Sequence, residues 1–196
     1  MIKIGEGVEG LVFDFDGTLA DTMPHHYRAW GDVLRARGGH FPEPLFYSLG
    51  GKATVEIVGI LNQQMGYDLD PVEVAAAKEE RFLDYIDQVK PIEAVAELAR
   101  LHRGRLPMGI GSGNLRWLVE RTLAAIDMVG FFEVIVTADD VQHGKPDPET
   151  FLLAAQKLGV PPARCQVLED GELGLEAARR AGMIATDIRM YVEEAN

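Results

Sequence analysis

The chain has 196 residues and a formal net charge of −12, with 31 acidic against 19 basic side chains. This length allows one domain, or one domain with a small insertion. The negative charge argues against a nucleic-acid or anionic-membrane partner, and no stretch approaches the roughly 20 apolar residues that a membrane span needs. The single cysteine, Cys165, excludes an intramolecular disulfide and fits a reducing cytoplasm, where we expect the protein to be located.

An apolar run near the N-terminus, 11–13, predicts a strand buried on both faces. Asp14 and Asp16 follow it, and Gly17 ends the extended run. In open α/β sheets, ligands bind beyond the carboxyl ends of the strands. Residues i and i+2 of a strand share a face, so the two carboxylates can converge there, and a cation is the expected compensation. By itself, a D-x-D pair would more simply be an acidic turn that closes a strand.

The full order D-x-D-G-T, from Asp14 to Thr18, is more specific because it follows an apolar strand. It resembles the first motif of the haloacid dehalogenase superfamily of phosphotransferases. The resemblance implies that Asp14 is the nucleophile and Asp16 the general acid/base. It also implies three further motifs downstream in a fixed order.

Residues 22–88 carry helix patterns and no strand pattern. The predicted helices cover about 22–38, 55–65 and 70–88, and 41–44 is predicted to be a loop. Thr22 or Asp21 can cap the first helix. His26 lies in its first turn, close enough in sequence to Asp16 to reach the same site. We interpret the helical block as an inserted, mobile lid.

From Pro91 onward, helices and strands alternate. Strands are predicted at 108–111, 134–136, 166–168 and 184–188, and helices at about 92–102, 114–128, 149–158 and 172–181. Strands separated by helices of this length imply a parallel sheet covered on both faces. The predicted fold class is therefore α/β: a Rossmann-like parallel-sheet core, 1–20 and 90–196, with a small inserted all-helical cap domain, 21–89.

Two of the expected motifs follow predicted strands. In Gly111-Ser112-Gly113-Asn114, a hydroxyl and backbone N–H groups at a helix start would make an anion site, although Ser112 alone could be a helix cap. The stretch resembles the second motif, which implies that Ser112, Gly113 and Asn114 bind the transferring phosphoryl group. The run 143–148 resembles the third motif. It implies that Lys145 is a point charge stabilising the nucleophilic carboxylate and the phosphoryl oxygens.

Glu169 and Asp170 end another apolar strand. Alone, they could be acidic residues near a helix N-terminus, which are mildly stabilising. In this position they resemble the fourth motif, which implies that Asp14, Asp16, Glu169 and Asp170 are ligands of Mg²⁺, an ion that prefers carboxylates, waters and phosphate oxygens. Most relatives carry Ser after the acid pair. This chain has Gly171, which lacks the side chain for that supporting hydrogen bond.

A finer resemblance concerns the branch within the superfamily. The segments 21–30 and 171–183 resemble the β-phosphoglucomutase-like branch, which has an inserted helical cap. The segments 102–108 and 187–189 are most similar to bacterial fructose-1-phosphate/6-phosphogluconate phosphatases of that branch. The four motifs together span nearly the whole chain.

The resemblance implies an Mg²⁺-dependent phosphatase that hydrolyses a small, fructose-1-phosphate-like sugar phosphate through an aspartyl-phosphate intermediate. Its substrate side would include His26, Lys52 and Lys78. Lys78 matches the cap lysine of the mutase pattern, and Lys52 lies in a Gly-Gly-Lys loop that could touch a sugar phosphate. Both lysines could instead be solvated residues on helix surfaces. No protein partner is implied.

Two alternatives stay open. Mutases of this branch, which interconvert β-glucose 1-phosphate and glucose 6-phosphate, place an Arg three residues after the cap-loop Gly to hold a second phosphate. Counting from Gly51, this chain has Thr54, which favours a phosphatase, although Lys52 could substitute. The other alternative is a non-catalytic protein that binds phosphorylated ligands. The presence of the nucleophile, the acid/base, the lysine and the acid pair together argues against it.

Overall fold

Five parallel strands form one sheet in the computed structural model, which describes residues 2–192. The strands are β1 (Gly10–Phe13), β2 (Met108–Gly111), β3 (Val134–Val136), β4 (Cys165–Glu169) and β5 (Ile184–Asp187). Their order is β3-β2-β1-β4-β5. The predicted parallel α/β sheet is confirmed, and β1 lies at its centre, between β2 and β4.

Helices account for most of the remaining chain. They are α1 (Met23–Arg35), α2 (Glu43–Ser48), α3 (Thr54–Met65), α4 (Pro71–Leu83), α5 (Glu93–His102), α6 (Arg116–Ala125), α7 (Glu149–Leu158), α8 (Glu172–Arg180) and α9 (Arg189–Val192). The first four follow one another between β1 and β2, and the next four alternate with strands. Within residues 2–192, no helix combines the length and apolar composition needed to cross a bilayer.

Some predicted boundaries were wrong. The loop predicted at 41–44 overlaps α2, which begins at Glu43 and tolerates Pro44 because the first helical turn needs no N–H at that position. The third predicted helix ends at Leu83 instead of 88, and a short 3₁₀ helix, Ile86–Gln88, follows it. The helix predicted at about 114–128 begins at Arg116 and ends at Ala125. The short α9 was not predicted.

Both faces of the sheet are covered by apolar side chains. Leu11 and Phe13 of β1 belong to one buried cluster and Val12 to another, as the alternation of a strand requires. A third cluster lies among the helices between β1 and β2. It includes Trp30, Leu34, Phe41, Phe46, Val58 and Leu61. Each large apolar side chain that is fully buried contributes about 1.5–3 kcal/mol, so this helical block has a core of its own.

Candidate active site

The carboxyl ends of the central strands bring the motif residues together. Asp14 follows β1, and its N–H donates to the carbonyl of Leu168 in β4 at 2.9 Å. The Lys145 ammonium donates to Asp14 Oδ1 at 2.5 Å and to Glu169 Oε2 at 2.8 Å. Lys145 is 1% exposed. Asp14 is 131 positions from Lys145 along the chain and Glu169 is 24 positions from it, so distant segments meet in one buried ion-paired group.

Three carboxylates form a group suited to a metal ion. One oxygen each of Asp14, Glu169 and Asp170 lies within 4.8 Å of the others. Thr18 donates its hydroxyl hydrogen to Asp170 Oδ1 at 2.6 Å, and the N–H of Gly171 donates to Glu169 Oε1 at 2.9 Å. An all-oxygen set of this kind suits hard divalent cations. The backbone at Gly171 therefore supports the acid pair without the missing serine side chain.

Two glycines make room for these carboxylates. Gly17 has a φ of +88°, a region that side chains rarely adopt, and a Cβ there would overlap the carboxylate of Asp170. A Cβ on Gly174, in the first turn of α8, would overlap the carboxylate of Glu169. The position of the acid pair thus depends on two residues that carry no side chain.

The carboxylates of this group resist ionisation. Burial, reinforced by the charge of Asp14, raises the pKa of Glu169 to about 8 and that of Asp170 to about 6. Burial also raises the pKa of Asp14, against the opposing effect of Lys145. Burial alone would lower the pKa of Lys145, but the charges of Asp14 and Glu169 outweigh it and raise that pKa. One lysine does not compensate three buried acids, so the group favours an added cation.

Asp16 lies in a different environment from Asp14. Its carboxylate accepts hydrogen bonds from Thr22 Oγ1 at 2.7 Å, His26 Nε2 at 3.0 Å and Asn114 Nδ2 at 3.1 Å. Burial would raise its pKa, but the hydrogen bonds from His26, Thr22 and Asn114 outweigh burial and lower it to about 2. The Asp16 carboxylate faces these donors and is not part of the group of three carboxylates, so its role as a metal ligand stays a prediction.

Ser112 does not cap a helix. It follows β2, while α6 begins at Arg116 with Leu115 as its preceding residue. Its hydroxyl oxygen accepts the N–H of Asn114 at 3.0 Å. This bond holds the loop 112–114 in a tight turn beside Asp16, where Gly113 and Asn114 line the same cavity as the two aspartates. The structure therefore brings the second-motif residues to the site and removes the simpler alternative for Ser112.

Side chains from α1 and α4 reach the same site. Lys78 is 3% exposed, which excludes the solvated-surface alternative for it. Its ammonium lies 2.9 Å from His26 Nδ1 and donates to both Glu79 oxygens at 3.2 Å. Because Lys78 can only donate, Nδ1 is the acceptor and Nε2–H donates to Asp16. Burial, followed by the charge of Lys78, lowers the pKa of His26 and keeps the ring neutral.

Lys52 lies at the rim of the site. It lines the cavity, and its ammonium pairs with Glu56 one turn later in α3. The Lys52 side chain is 18% exposed and that of Glu56 49%. A pair this open to water is weak, so Lys52 can exchange Glu56 for another anion at little cost.

Three polar residues at the site, Thr18, Thr22 and Glu79, were not predicted from the sequence to be functional. Thr18 was only part of a motif, and Thr22 was predicted as a helix cap. Thr22 occupies the N-cap position, but its hydroxyl makes no cap hydrogen bond and donates to Asp16 instead. Glu79 accepts a hydrogen bond from the Thr54 hydroxyl and is 2% exposed. A glutamate within a helix is normally exposed, so no local signal could have identified it.

The cavity between these groups is small. It is lined by core residues, including Asp14, Asp16 and Gly113, and by apolar side chains of the helical block, which are Met23, Trp30, Phe46, Leu49 and Ile57. Its volume of about 60 Å³ is far below the several hundred cubic ångströms typical of ligand pockets. The carbonyl oxygen of Gly51 approaches Gly113 so closely that a Cβ on Gly113 would overlap this oxygen. The loop at Gly51 thus contacts the core at Gly113, while a second cavity of about 450 Å³ reaches Asp14, Asp16, Glu169 and Asp170.

Residues 8–182 match the model of a protein family described as haloacid dehalogenase-like hydrolase. The chain is also similar to fructose-1-phosphate phosphatase YqaB of Escherichia coli strain K12. The two are 40% identical over 186 residues, which cover 94% of this chain and 98% of the relative.

Two solved structures are similar to this one. CbbY from Rhodobacter sphaeroides, in complex with phosphate, aligns with a TM-score of 0.83 and 28% identity, covering 91% of this chain and 84% of that chain. β-Phosphoglucomutase from Clostridium difficile aligns with a TM-score of 0.80 and 24% identity, covering 92% and 84%. At the latter identity the likeness establishes a shared fold.

Proposed function

Since the chain belongs to the haloacid dehalogenase-like hydrolases, as its four motifs predicted, and is a phosphoric monoester hydrolase, we propose that it removes phosphate from a small sugar phosphate similar to fructose 1-phosphate. The observation that carries the proposal is the buried group in which Lys145 joins Asp14 and Glu169 beside Asp16. The similarity to the E. coli phosphatase supports the sugar class.

Asp14 is the proposed nucleophile. One of its oxygens attacks phosphorus in line, the bond from phosphorus to the sugar oxygen breaks, and an aspartyl-phosphate forms. Lys145, buried and charged, stabilises the Asp14 carboxylate and the phosphoryl oxygens. Ser112, Gly113 and Asn114 are the proposed binders of the remaining oxygens, since Gly113 and Asn114 line the cavity and the Ser112 hydroxyl lies 3.5 Å from Asp16 Oδ2.

Asp16 is the proposed general acid and base. A pKa of about 2 keeps its carboxylate ionised in the free protein, which suits the second step, in which it takes a proton from the water that attacks the aspartyl-phosphate. The first step needs the protonated form to give a proton to the leaving sugar oxygen. The negative charge of a bound phosphomonoester raises the pKa of a neighbouring carboxyl, so substrate binding favours that form.

Asp14, Glu169 and Asp170 are the proposed holders of Mg²⁺, because their oxygens converge, and burial with the charge of Asp14 raises the pKa values of Glu169 and Asp170. The ion, when bound, would neutralise charge on the transferring phosphoryl group. Thr18 and Gly171 hold Asp170 and Glu169 in place through hydrogen bonds.

We propose that residues 21–89 form a cap domain that opens to admit substrate, with the core formed by 1–20 and 90–196. The separate apolar cluster among α1–α4 supports this division, and the contact of Gly51 with Gly113 beside a cavity of only about 60 Å³ supports a cap that moves. Closure over the substrate would exclude water during the first step. His26, Lys78 and Lys52 are the proposed contacts on the cap side.

The alternatives are less well supported. In a mutase, a cation near the position of Thr54 would hold a second phosphate. In this protein the Thr54 hydroxyl donates to Glu79, and the negative carboxylate of Glu79 would repel a second phosphate. A protein that only binds its ligand would not need Asp14, Asp16 and Lys145 in reacting positions. The cytoplasmic location stays a prediction.

The test is phosphate release from a panel of sugar phosphates with Mg²⁺, with Asp14→Asn as the matched control. We expect release that is lost in the variant, because the amide cannot act as the nucleophile. Conversion of β-glucose 1-phosphate to glucose 6-phosphate with a bisphosphate primer, without release, would establish the mutase instead. If the protein showed neither phosphate release nor this conversion, the result would contradict the proposed catalysis.

A further inference from the structure

Glu79 is a buried charge that the proposed mechanism does not use. It lies in α4, is 2% exposed, and its carboxylate accepts hydrogen bonds from the Lys78 ammonium and the Thr54 hydroxyl. An ionised glutamate is costly to bury even when it is paired, and an uncharged side chain of the same size would fill the same space. The charge itself therefore calls for an explanation.

The pairing changes what Lys78 can bind. Lys78 lines the substrate cavity, and both Glu79 oxygens lie 3.2 Å from its ammonium. Its remaining close partner is the neutral ring of His26. Because the pair is almost completely buried, water and salt screen it little. Lys78 is therefore held as one half of a neutral pair and does not attract a second anion.

The rest of the cap side of the cavity carries little charge. Among the residues that the structure describes there, Lys52 is the other lysine, and it lies at the rim with Glu56 as its partner. The remaining cap residues are Met23, Trp30, Phe46, Leu49, Ile57, Thr54 and backbone of Gly50 and Gly51. Such a surface suits the carbon skeleton and hydroxyl groups of a polyol.

We infer that Glu79 is a specificity-determining residue that neutralises Lys78 and so makes the cap side accept an uncharged sugar end and reject a second phosphate or carboxylate. The inference rests on the proposed function, because it assumes that the first phosphate is bound at Asp14. The bound phosphate lies on the core side, and Glu79 acts on whatever the other end of the substrate carries.

The experiment compares the affinities of fructose 1-phosphate and fructose 1,6-bisphosphate by calorimetry with Mg²⁺. The protein carries Asp14→Asn so that neither ligand is consumed, alone and combined with Glu79→Gln. We expect the monophosphate to bind more tightly than the bisphosphate. Glu79→Gln should reduce this ratio of affinities about tenfold, which is the order of effect of one unit charge acting across a partly solvated site. Glu80→Gln removes the same charge from the exposed neighbouring position and should leave the selectivity unchanged.

A second variant tests the charge without removing the buried carboxylate. In Thr54→Arg, the new guanidinium lies at the start of α3, beside Glu79, and competes with Lys78 for it. This change should also reduce the selectivity for the monophosphate. Because an arginine at this position could contact a second phosphate directly, the effect counts for Glu79 only if Glu79→Gln combined with Thr54→Arg reduces the selectivity no further than either change alone.

The outcomes separate the two proposals. Equal weakening of both ligands by Glu79→Gln, or an unchanged selectivity in both variants, would overturn the role of Glu79 while the proposed function stands. A selectivity shift without phosphate release by the unsubstituted protein would support Glu79 and contradict the proposed catalysis. Binding of neither ligand would overturn both.

Discussion

Asp14 and Asp16 are two residues apart, yet their pKa values move in opposite directions. Burial raises the pKa of Asp14 against the opposing effect of Lys145, whereas three hydrogen-bond donors outweigh burial at Asp16 and lower its pKa to about 2. The difference comes from the neighbours of each carboxylate, since both are the same chemical group. Opposite shifts in adjacent carboxyls are what separate roles as nucleophile and acid/base require.

Gly174 offers a test of the metal site at the scale of one residue. In Gly174→Ala, the new Cβ would displace the Glu169 carboxylate, so we expect Mg²⁺ to bind about 10- to 100-fold more weakly. Two Mg²⁺ concentrations are measured: the one that gives half of the maximal increase in melting temperature, and the one that gives half of the maximal activity.

The control for that variant is Gly59→Ala. Gly59 lies within α3, where a Cβ would meet nothing within 4 Å. It should leave the Mg²⁺ requirement unchanged. An unchanged requirement in Gly174→Ala as well would show that Glu169 is not a ligand.

At the scale of elements, two helices bring the cap residues to Asp16. α1 begins directly after Thr22 and places His26 in its first turn, and α4 places Lys78 and Glu79 two turns from its start. The start of α4 was predicted correctly, because Asp70 accepts hydrogen bonds from the N–H groups of the first turn. The packing of α1 against α4 then sets which side chains meet.

The loop between α2 and α3 provides a test of cap closure. In Gly113→Ala, the new methyl group would overlap the Gly51 carbonyl and hold the loop away from the core. We expect kcat/KM to fall by about 10- to 100-fold, the usual effect of displacing groups that position a substrate. The melting temperature should change little, because an open cap relieves the overlap. Steady-state kinetics and thermal unfolding provide the two measurements.

Gly144→Ala is the control for this variant, since Gly144 also lies in a core loop and a Cβ there would meet nothing within 4 Å. Its kinetics should match those of the unsubstituted protein. If Gly113→Ala also retained full kcat/KM, closure of this loop onto Gly113 would not be part of the reaction.

At the scale of the whole molecule, the charged site links stability to pH. A raised pKa of about 8 for Glu169 means that the folded protein holds a proton that the unfolded chain has already lost. Stability therefore falls as pH rises from 7 to 8.5, by up to about 1.4 kcal/mol per pH unit for one proton. Above pH 7, His26 is neutral in the folded and largely neutral in the unfolded state, so it contributes little.

The measurement is the melting temperature between pH 7 and 8.5, in chelator and in Mg²⁺. We expect a decline with pH in chelator and a larger stabilisation by Mg²⁺ at pH 8.5 than at pH 7, because the ion replaces the proton. Glu169→Gln should flatten the decline. A melting temperature that rises with pH in chelator would contradict the raised pKa.

Residues 8–182 carry enough local pattern to predict the parallel sheet, the helical block between β1 and β2, and the order of the four motifs. These features depend on hydrophobic periodicity and on which residues follow each strand, and both are properties of short segments. Because the carboxyl ends of parallel strands lie at one edge, the segments also predicted that Asp14, Glu169 and Asp170 would lie close together, whereas the place of Lys145 was predicted from the resemblance to the third motif.

The tertiary structure alone decided the partners of each group. His26 and Lys78 are 52 residues apart, and Thr54 and Glu79 are 25 apart, so no local pattern connects them. The sequence by itself determined which chemical groups stand at the ends of the strands. Packing of α1 against α4 and closure of the loop at Gly51 decided that Asp16 is held by donors and that Glu79 is buried, because burial and pairing arise only when distant segments come into contact.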